Sequence, residues 1–348
     1  DDDDDDDDDD NNTAEIEKND NHIDNDDTPT WIPNHLRIFA AATLQYTDSN
    51  PKRCIDVLNK MRENFTAQEE ENLELWLVCI DHTLCNAFQR QGEWRLALSA
   101  LDNVLQNLSK ATEQEINSRC LVQEGSKEYQ WVKSNLTGAY RCEVYSRQGR
   151  MMLQVGALKE ASQLFQAATK EWTDTTAIAS SAPGGISDET QQKINDFLNA
   201  RHVMSTLLMN DGLLCFAHPD YDQAIPYFSK AIDLQRAATA TKYQLEEWIA
   251  GLDVVGADSN QTVLTDCCNN LALCSLYTCR MQEAVRIMES LIRDDPTSYL
   301  TEGLAFNLCT LYELGHEPAV STHKKRVLQL IAKRFFLHDI GPESFRIG

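Results

Sequence analysis

The stretch Gly156–Ala168, GALKEASQLFQAA, decides the fold, because Pro219–Ile232, PDYDQAIPYFSKAI, repeats its pattern in different letters. Each has a turn residue, then Leu158 or Tyr221, then Ala161 or Ala224, then Phe165 or Phe228, then Ala168 or Ala231. Gly92–Leu105, GEWRLALSALDNVL, repeats the pattern around Ala97, and Met281–Pro296, MQEAVRIMESLIRDDP, repeats it around Ala284. Steps of three and four residues place these side chains on one face of a helix. A small residue where two helices touch, followed by a large one, marks the second helix of a helix–turn–helix repeat of the tetratricopeptide (TPR) kind. Such repeats stack on their neighbours and hold other proteins more often than they do chemistry.

Working outward from each Ala supplies the rest of each unit. Ala161 brings in Tyr145, Gly149, Met152 and Phe165; Ala224 brings in Leu208, Gly212, Cys215 and Phe228. Ala284 brings in Leu271, Ala272, Met288, Leu291 and Pro296, and Ala97 brings in Leu84, Cys85, Phe88, Leu101 and Val104. A fifth unit emerges when the chain is laid on itself. Ala272–Val285, ALCSLYTCRMQEAV, aligns without gaps on Asn307–Val320, NLCTLYELGHEPAV, at an offset of 35, which gives Leu308, Tyr312 and Ala319 repeat positions. The spacing predicts that Gly149, Gly212, Ala161, Ala224 and Ala284 are buried where helices meet.

The anchors are separated by 64, 63, 60 and 35 residues. A regular array repeats about every 34, so overlong or inserted helices are expected between the first four. The reading is an all-α, TPR-like solenoid of irregular helical hairpins over residues 30–348, with units near 73–109, 140–171, 188–236, 262–296 and 299–334. Asn50-Pro51 reads as a helix start, and Thr66-Ala-Gln-Glu69 as a capping box opening the next helix. Residues 173–185, with Pro183-Gly184-Gly185, read as a loop. A long helical stretch over 111–148 is expected, with a break near Gly125 or Gly138. Residues 237–250 extend a second helix, and 251–261 read as a loop or short insert.

Of the net charge of −24, residues 1–27 carry −15, from sixteen acids and one Lys. That acidic lead-in, residues 1–29, is expected to be disordered. The Lys and Arg of the remainder form no stripe, which argues against nucleic acid as a partner. No apolar run approaches the ~20 residues that span a bilayer, and no signal peptide is visible. The chain does not open on Met, and a missing upstream part is expected. Eleven cysteines without framework spacing point to reduced, buried thiols in a cytosolic protein.

Chemistry was sought along the chain. Gly184-Gly185 lacks the Lys-Ser or Lys-Thr of a phosphate loop. Cys267-Cys268, Cys274 and Cys279 fall along one helix and its end without CxxC pairing, so core packing is the reading rather than a metal. His82 and His202 sit in apolar helical context. No catalytic, cofactor-binding or metal-ligating residue is assigned, and no cofactor is expected. TPR domains that grip a C-terminal carboxylate place Lys, Asn and Arg on their first helices. The corresponding positions here are His82, Asn86, Ser146, Met209, Asn210 and Asn269, where Lys and Arg are missing.

The last two units carry more than generic repeat letters. Asn269–Tyr277, NNLALCSLY, is followed by a helix ending Arg293-Asp-Asp-Pro296, and then by Leu300–Leu314, LTEGLAFNLCTLYEL. With Lys324-Lys325-Arg326 and the terminal Asp339-Ile-Gly-Pro-Glu-Ser344-Phe345, this resembles the C-terminal TPR region of the subunit 12 family of the trafficking protein particle (TRAPP) complex. The resemblance spans about residues 31–348 and is most specific over 262–345. The chain departs from it in the terminal residues and at 315–323. It implies a non-catalytic scaffold subunit of a vesicle-tethering complex, acting in ER-to-Golgi traffic and autophagy. It also implies a cytoplasmic location, peripherally associated with Golgi or ER-Golgi membranes, partners among the complex's other subunits, and a Rab GTPase reached only through the complex. The alternative is a TPR adaptor in another pathway, a chaperone cofactor or targeting-signal receptor.

Overall fold

The computed structural model describes residues 33–47, 52–68, 70–118, 122–181, 184, 186–200, 203–240 and 260–347. Among them every regular element is helical. Helices α1 (Asn34–Thr47) and α2 (Lys52–Ala67) lead into a series of antiparallel pairs. These are α3 (Leu73–Arg90) with α4 (Trp94–Ser118), and α5 (Lys127–Gln154) with α6 (Leu158–Ser180). After α7 (Asp188–Ala200) come α8 (Val203–Ala217) with α9 (Tyr221–Ala240), and α10 (Asn260–Tyr277) with α11 (Met281–Asp294). The short α12 (Pro296–Tyr299) precedes α13 (Glu302–Gly315) with α14 (Pro318–Arg334), and a 3-10 turn covers Pro342–Phe345. The chain is thus an all-α, TPR-like solenoid.

Four pairs make the same turn. Gly92, Gly156, Pro219 and Cys279 each stand two residues before a second helix, and Gly92, Gly156 and Cys279 have φ of 76°, 81° and 62°. The next residue's N–H then reaches back five positions. Glu93 donates to the Phe88 carbonyl and Ala157 to that of Met152, both at 2.9 Å; Asp220 donates to Cys215 at 3.0 Å and Arg280 to Ser275 at 2.7 Å. This Schellman ending satisfies the last carbonyls of the first helix. Glycine enters the left-handed region without a Cβ penalty, which accounts for Gly92 and Gly156. Because the turn is constant, Ala97, Ala161, Ala224 and Ala284 are each the fourth residue of their helix, and each is fully buried.

The fifth pair turns differently. Only His316 and Glu317 separate α13 from α14, both are extended, and Pro318 begins the helix at once. The fourth residue of α14 is therefore Ser321, which is buried, whereas Ala319 is exposed. The placing of Ala319 by ungapped alignment is corrected by two residues.

Other expectations change for physical reasons. Thr66 lies inside α2 and donates its hydroxyl to the Arg62 carbonyl at 2.9 Å, so it is not a cap; α3 opens instead at Asn72, in the left-handed region. Residues 173–180 are helical, because threonines at 173 and 176 bond back to carbonyls four residues earlier and Ala179 is buried. The described residues between α4 and α5, 122–126, include Gly125, at φ 77°, while Gly138 continues α5 as a packing position. The long spacing between early anchors is taken up by α4, α5 and α6, of 25, 28 and 23 residues, and by the inserted α7. The acidic lead-in, Asn50-Pro51, Glu69, Pro183, Gly185, His202 and residues 241–259 lie outside the described residues.

The apolar core runs in two long stretches. One joins α1 to α7 around Phe65, Ile80, Leu101 and Leu108; the other joins α8 to the terminal turn around Phe228, Met288, Leu308 and Phe345. A small cluster of Cys142, Ala168, Val203 and Leu207 stands between them.

Candidate functional site

The repeat positions predicted from the sequence fall into three groups, of which the exposed Ala319 is the smallest. Ala97, Gly149, Ala161, Phe165, Gly212, Ala224, Phe228, Ala231, Ala284, Leu308 and Tyr312 are buried. Tyr221, Leu271 and Pro296 are half-buried, and Pro296 opens α12 behind the Asp295 cap. The glycines mark close approach. A Cβ on Gly149 would stand inside 3.0 Å of the Phe165 ring, and one on Gly212 would lie 2.7 Å from Phe228 Cε1. Gly138 is equally tight against Thr175. In the α5–α6 and α8–α9 pairs the second helix thus sets an aromatic ring directly on the backbone of the first.

The first helices are linked by a polar ladder. Arg147 on α5 donates to the Asn86 amide oxygen on α3, and to Gln89 at 3.4 Å. Asn210 on α8 donates to the Ser146 hydroxyl at 2.9 Å in a buried contact, and its own amide oxygen accepts from Arg150 at 3.4 Å. Asn307 on α13 donates to Asn269 on α10 at 2.8 Å. Four of the six positions proposed from carboxylate-gripping domains, Asn86, Ser146, Asn210 and Asn269, lie in this ladder. His82 is half-buried and Met209 is buried. The reading of single positions missed Arg147 and Arg150, which lie one residue and four residues beyond Ser146, the second of them one helical turn away.

A second polar cluster gathers at the C-terminal pair. Glu289 on α11 accepts from the Tyr312 hydroxyl and from Lys324, both at 2.9 Å. Burial alone would raise the Glu289 carboxyl, but these donors hold it below the usual range. The Tyr312 phenol is pushed up, by burial first and then by its bond to Glu289. Lys325, almost wholly buried, donates to Glu313 and, at 3.0 Å, to the Arg346 carbonyl. Arg346 reaches Glu313 at 3.1 Å and Thr310 at 3.0 Å, and lies 5.1 Å from the Phe306 ring centre. Ser344 donates to Glu302 at 3.2 Å, and Phe345 is buried beneath. Hydrogen bonds from Lys325 hold the Glu313 carboxyl low.

Eight of the residues that carry the family resemblance meet here. Phe306, Thr310, Tyr312, Glu313, Lys324, Lys325, Ser344 and Phe345 belong to the cluster or its floor. Arg326 and Asp339 do not; both are exposed.

The thiols are packing groups. Cys267, Cys268 and Cys274 are buried, and Cys279 is exposed at its turn. Burial pushes the Cys79 thiol up to about 12 and those of Cys268, Cys274 and Cys309 to about 11. The reactive thiolate is therefore disfavoured. No group of metal-ligating side chains occurs among the described residues, and no described helix is long and apolar enough to cross a membrane.

No family model matches the chain. It is similar to trafficking protein particle complex subunit 12 of Mus musculus, 25% identical over 314 residues, which cover 88% of this chain and 31% of that protein. It is also similar to trafficking protein particle complex subunit 12 of Homo sapiens, 25% identical over 307 residues, covering 86% of this chain and 33% of that protein. The chain thus spans about a third of the length of these relatives, and the likeness runs through nearly all of its own.

Proposed function

We propose that the chain is a non-catalytic scaffold subunit of a vesicle-tethering complex of the trafficking protein particle type. On this reading its TPR-like pairs hold other subunits. It works in ER-to-Golgi traffic and autophagy, on the cytoplasmic side at Golgi membranes, and reaches a Rab GTPase only through the complex. The observation that supports the reading is the C-terminal cluster. The letters that carry the resemblance are spread over residues 269–345, and eight of them, from α13, α14 and the terminal turn, interlock around Glu289, Glu313 and Lys325. Scattered identity would leave no reason for them to meet.

The test is affinity purification of the tagged full chain from cells, followed by mass spectrometry. Trafficking protein particle subunits should be recovered. A folded, monodisperse chain that recovers none of them overturns the proposal.

A peptide adaptor is the second reading. What favours it is that Arg147 faces the amide oxygens of Asn86 and Gln89 rather than a carboxylate, so its charge is available to an acidic ligand. Titration with peptides ending in a free carboxylate, against the full chain and Arg147→Ala, separates the readings. Binding that Arg147→Ala weakens at least tenfold, with no tethering subunits recovered, selects the adaptor.

A further inference from the structure

The outward face of α14 breaks the pattern of every other second helix. Those helices expose acids and bases together: Asp102 with Lys110 on α4, Glu160 with Lys159 on α6, Asp233 with Lys230 on α9, Glu283 with Arg286 on α11. From Pro318 to His338 the chain has no acid at all, although it carries 55 elsewhere. Along α14 it exposes Val320 (43%), Val327 (42%) and Leu330 (63%). Val320 and Val327 are seven residues apart and Leu330 follows three later, the seam spacing by which one helix packs along another. Arg326 and Lys333, also seven apart, flank that seam on one side. Both are exposed, and neither has an acidic partner among the described residues. Lys324 and Lys325, by contrast, are already paired with Glu289 and Glu313.

A second observation lies at the end of the seam. Phe336 has φ of 58° and is 77% exposed. The position closes α14, with the Leu337 N–H donating to the Ala332 carbonyl at 3.0 Å, and glycine is the usual occupant of such a site. An L-residue with a large side chain is strained there, and held strain of this kind points to use.

We propose that this face of α14 docks an acidic amphipathic helix of a partner protein. The partner's apolar seam would lie on Val320, Val327 and Leu330, its Asp or Glu side chains would meet Arg326 and Lys333, and Phe336 would anchor its end. The charge argues for acids on the partner. The narrowness of the seam, interrupted by His323 and Arg334, argues for a helix rather than a bilayer, which takes a broad apolar face.

The inference stands apart from the assignment to a tethering complex, and one experiment separates the two. The full chain is expressed in cells with the photo-crosslinker p-benzoylphenylalanine at Leu330 or at Phe336, and crosslinked peptides are mapped. Crosslinks should fall on a helical segment flanked by Asp and Glu. Leu330→Glu, on an exposed face and checked for an unchanged melting temperature, should weaken that partner's binding at least ~30-fold, as for a central interface residue. Arg326→Glu with Lys333→Glu should weaken it about tenfold, and Lys substitutions on the crosslinked helix should restore it. Crosslinks to lipid alone, to a basic segment or to nothing overturn the inference, as does unchanged binding by Leu330→Glu. Recovery of no tethering subunits by the parent chain, with the crosslinked acidic helix still found, sinks the complex assignment and leaves the docking face standing. Recovery of tethering subunits without such crosslinks, or without a loss of the crosslinked partner by Leu330→Glu, does the reverse.

Discussion

Substituting Gly149 by Ala sets two known effects against each other. In the middle of a helix, Gly to Ala should stabilise by about 1 kcal/mol, because Ala loses less backbone freedom on folding. At Gly149, however, the new methyl would land within 3.0 Å of the Phe165 ring, which is itself 3% exposed and enclosed on its other sides. The ring cannot swing away, so α5 and α6 must separate or leave their rotamers, at a cost of about 1–3 kcal/mol. Two ring carbons stand well inside 3.0 Å, which places the cost at about 2–3 kcal/mol, the upper end of that range, so the steric term wins and Gly149→Ala should lose about 1–2 kcal/mol. Gly303, near the start of α13, is the control. A methyl there meets nothing within 4 Å, so Gly303→Ala should be neutral or slightly stabilising. The assay is chemical denaturation followed by tryptophan fluorescence, since Trp131 lies on α5 and Trp172 on α6. Phe165→Leu makes room for the methyl, so in the double variant the two losses should sum to at least about 1 kcal/mol less than expected. Gly149→Ala as stable as the parent chain, or strict additivity with Phe165→Leu, would refute the claim that this glycine exists to seat the ring.

Ala224→Leu should cost about 1–3 kcal/mol by overpacking the α8–α9 contact, and an unchanged melting temperature would count against the repeat register. Lys325→Ala removes a buried donor shared by Glu313 and the Arg346 carbonyl; a loss of about 1–2 kcal/mol and faster protease cleavage after Phe336 are expected, with unchanged digestion as the contrary result. Asp81 reverses the usual sign for a carboxylate. Burial pushes it up to about 6 even with Arg62 at 3.0 Å, so the folded chain holds the proton more tightly than the unfolded chain, whose value is about 3.9. Its contribution is most favourable below pH 4 and is lost as pH rises through about 6, some 3 kcal/mol in all. Between pH 5 and 7 the parent chain should therefore lose stability relative to Asp81→Asn, and parallel melting curves over that window would contradict this.

Much of the fold was legible because one device recurs. The turn shared at Gly92, Gly156, Pro219 and Cys279, closed by a backbone hydrogen bond reaching back five positions, fixes where the second helix begins, and so fixes which Ala is buried. Wherever that turn is present, letters and packing stay in step. Helix lengths were less legible. Thr173, Asp174 and Thr176 look like loop residues, yet they extend α6 because Thr175 and Ala179 reach the core. The polar ladder was visible only in part. Asn86, Ser146 and Asn210 stood at expected positions, but the arginines that join them lie off those positions, where long side chains reach across by geometry that spacing does not encode.

The misplacement of Ala319 has a larger consequence than one residue. In an ungapped alignment Val320 lies on Val285 and Val327 on Ile292, both of which are buried in α11. Relative to α10, α13 runs three residues further, to Gly315, and the turn at His316-Glu317 is one residue shorter, so α14 starts two residues late; each residue turns a helix by about 100°. The face that in α11 lies inward is therefore rotated by about 200° in α14, toward solvent. Ser321 and Lys325 take the inward places instead, and Lys325 becomes the centre of the C-terminal cluster. One altered turn thus produces both features that set the last pair apart, the buried lysine lock and the exposed apolar seam. A repeat that had merely decayed would show apolar residues lost from α14. Here they are kept and turned outward, which is the arrangement a docking face requires.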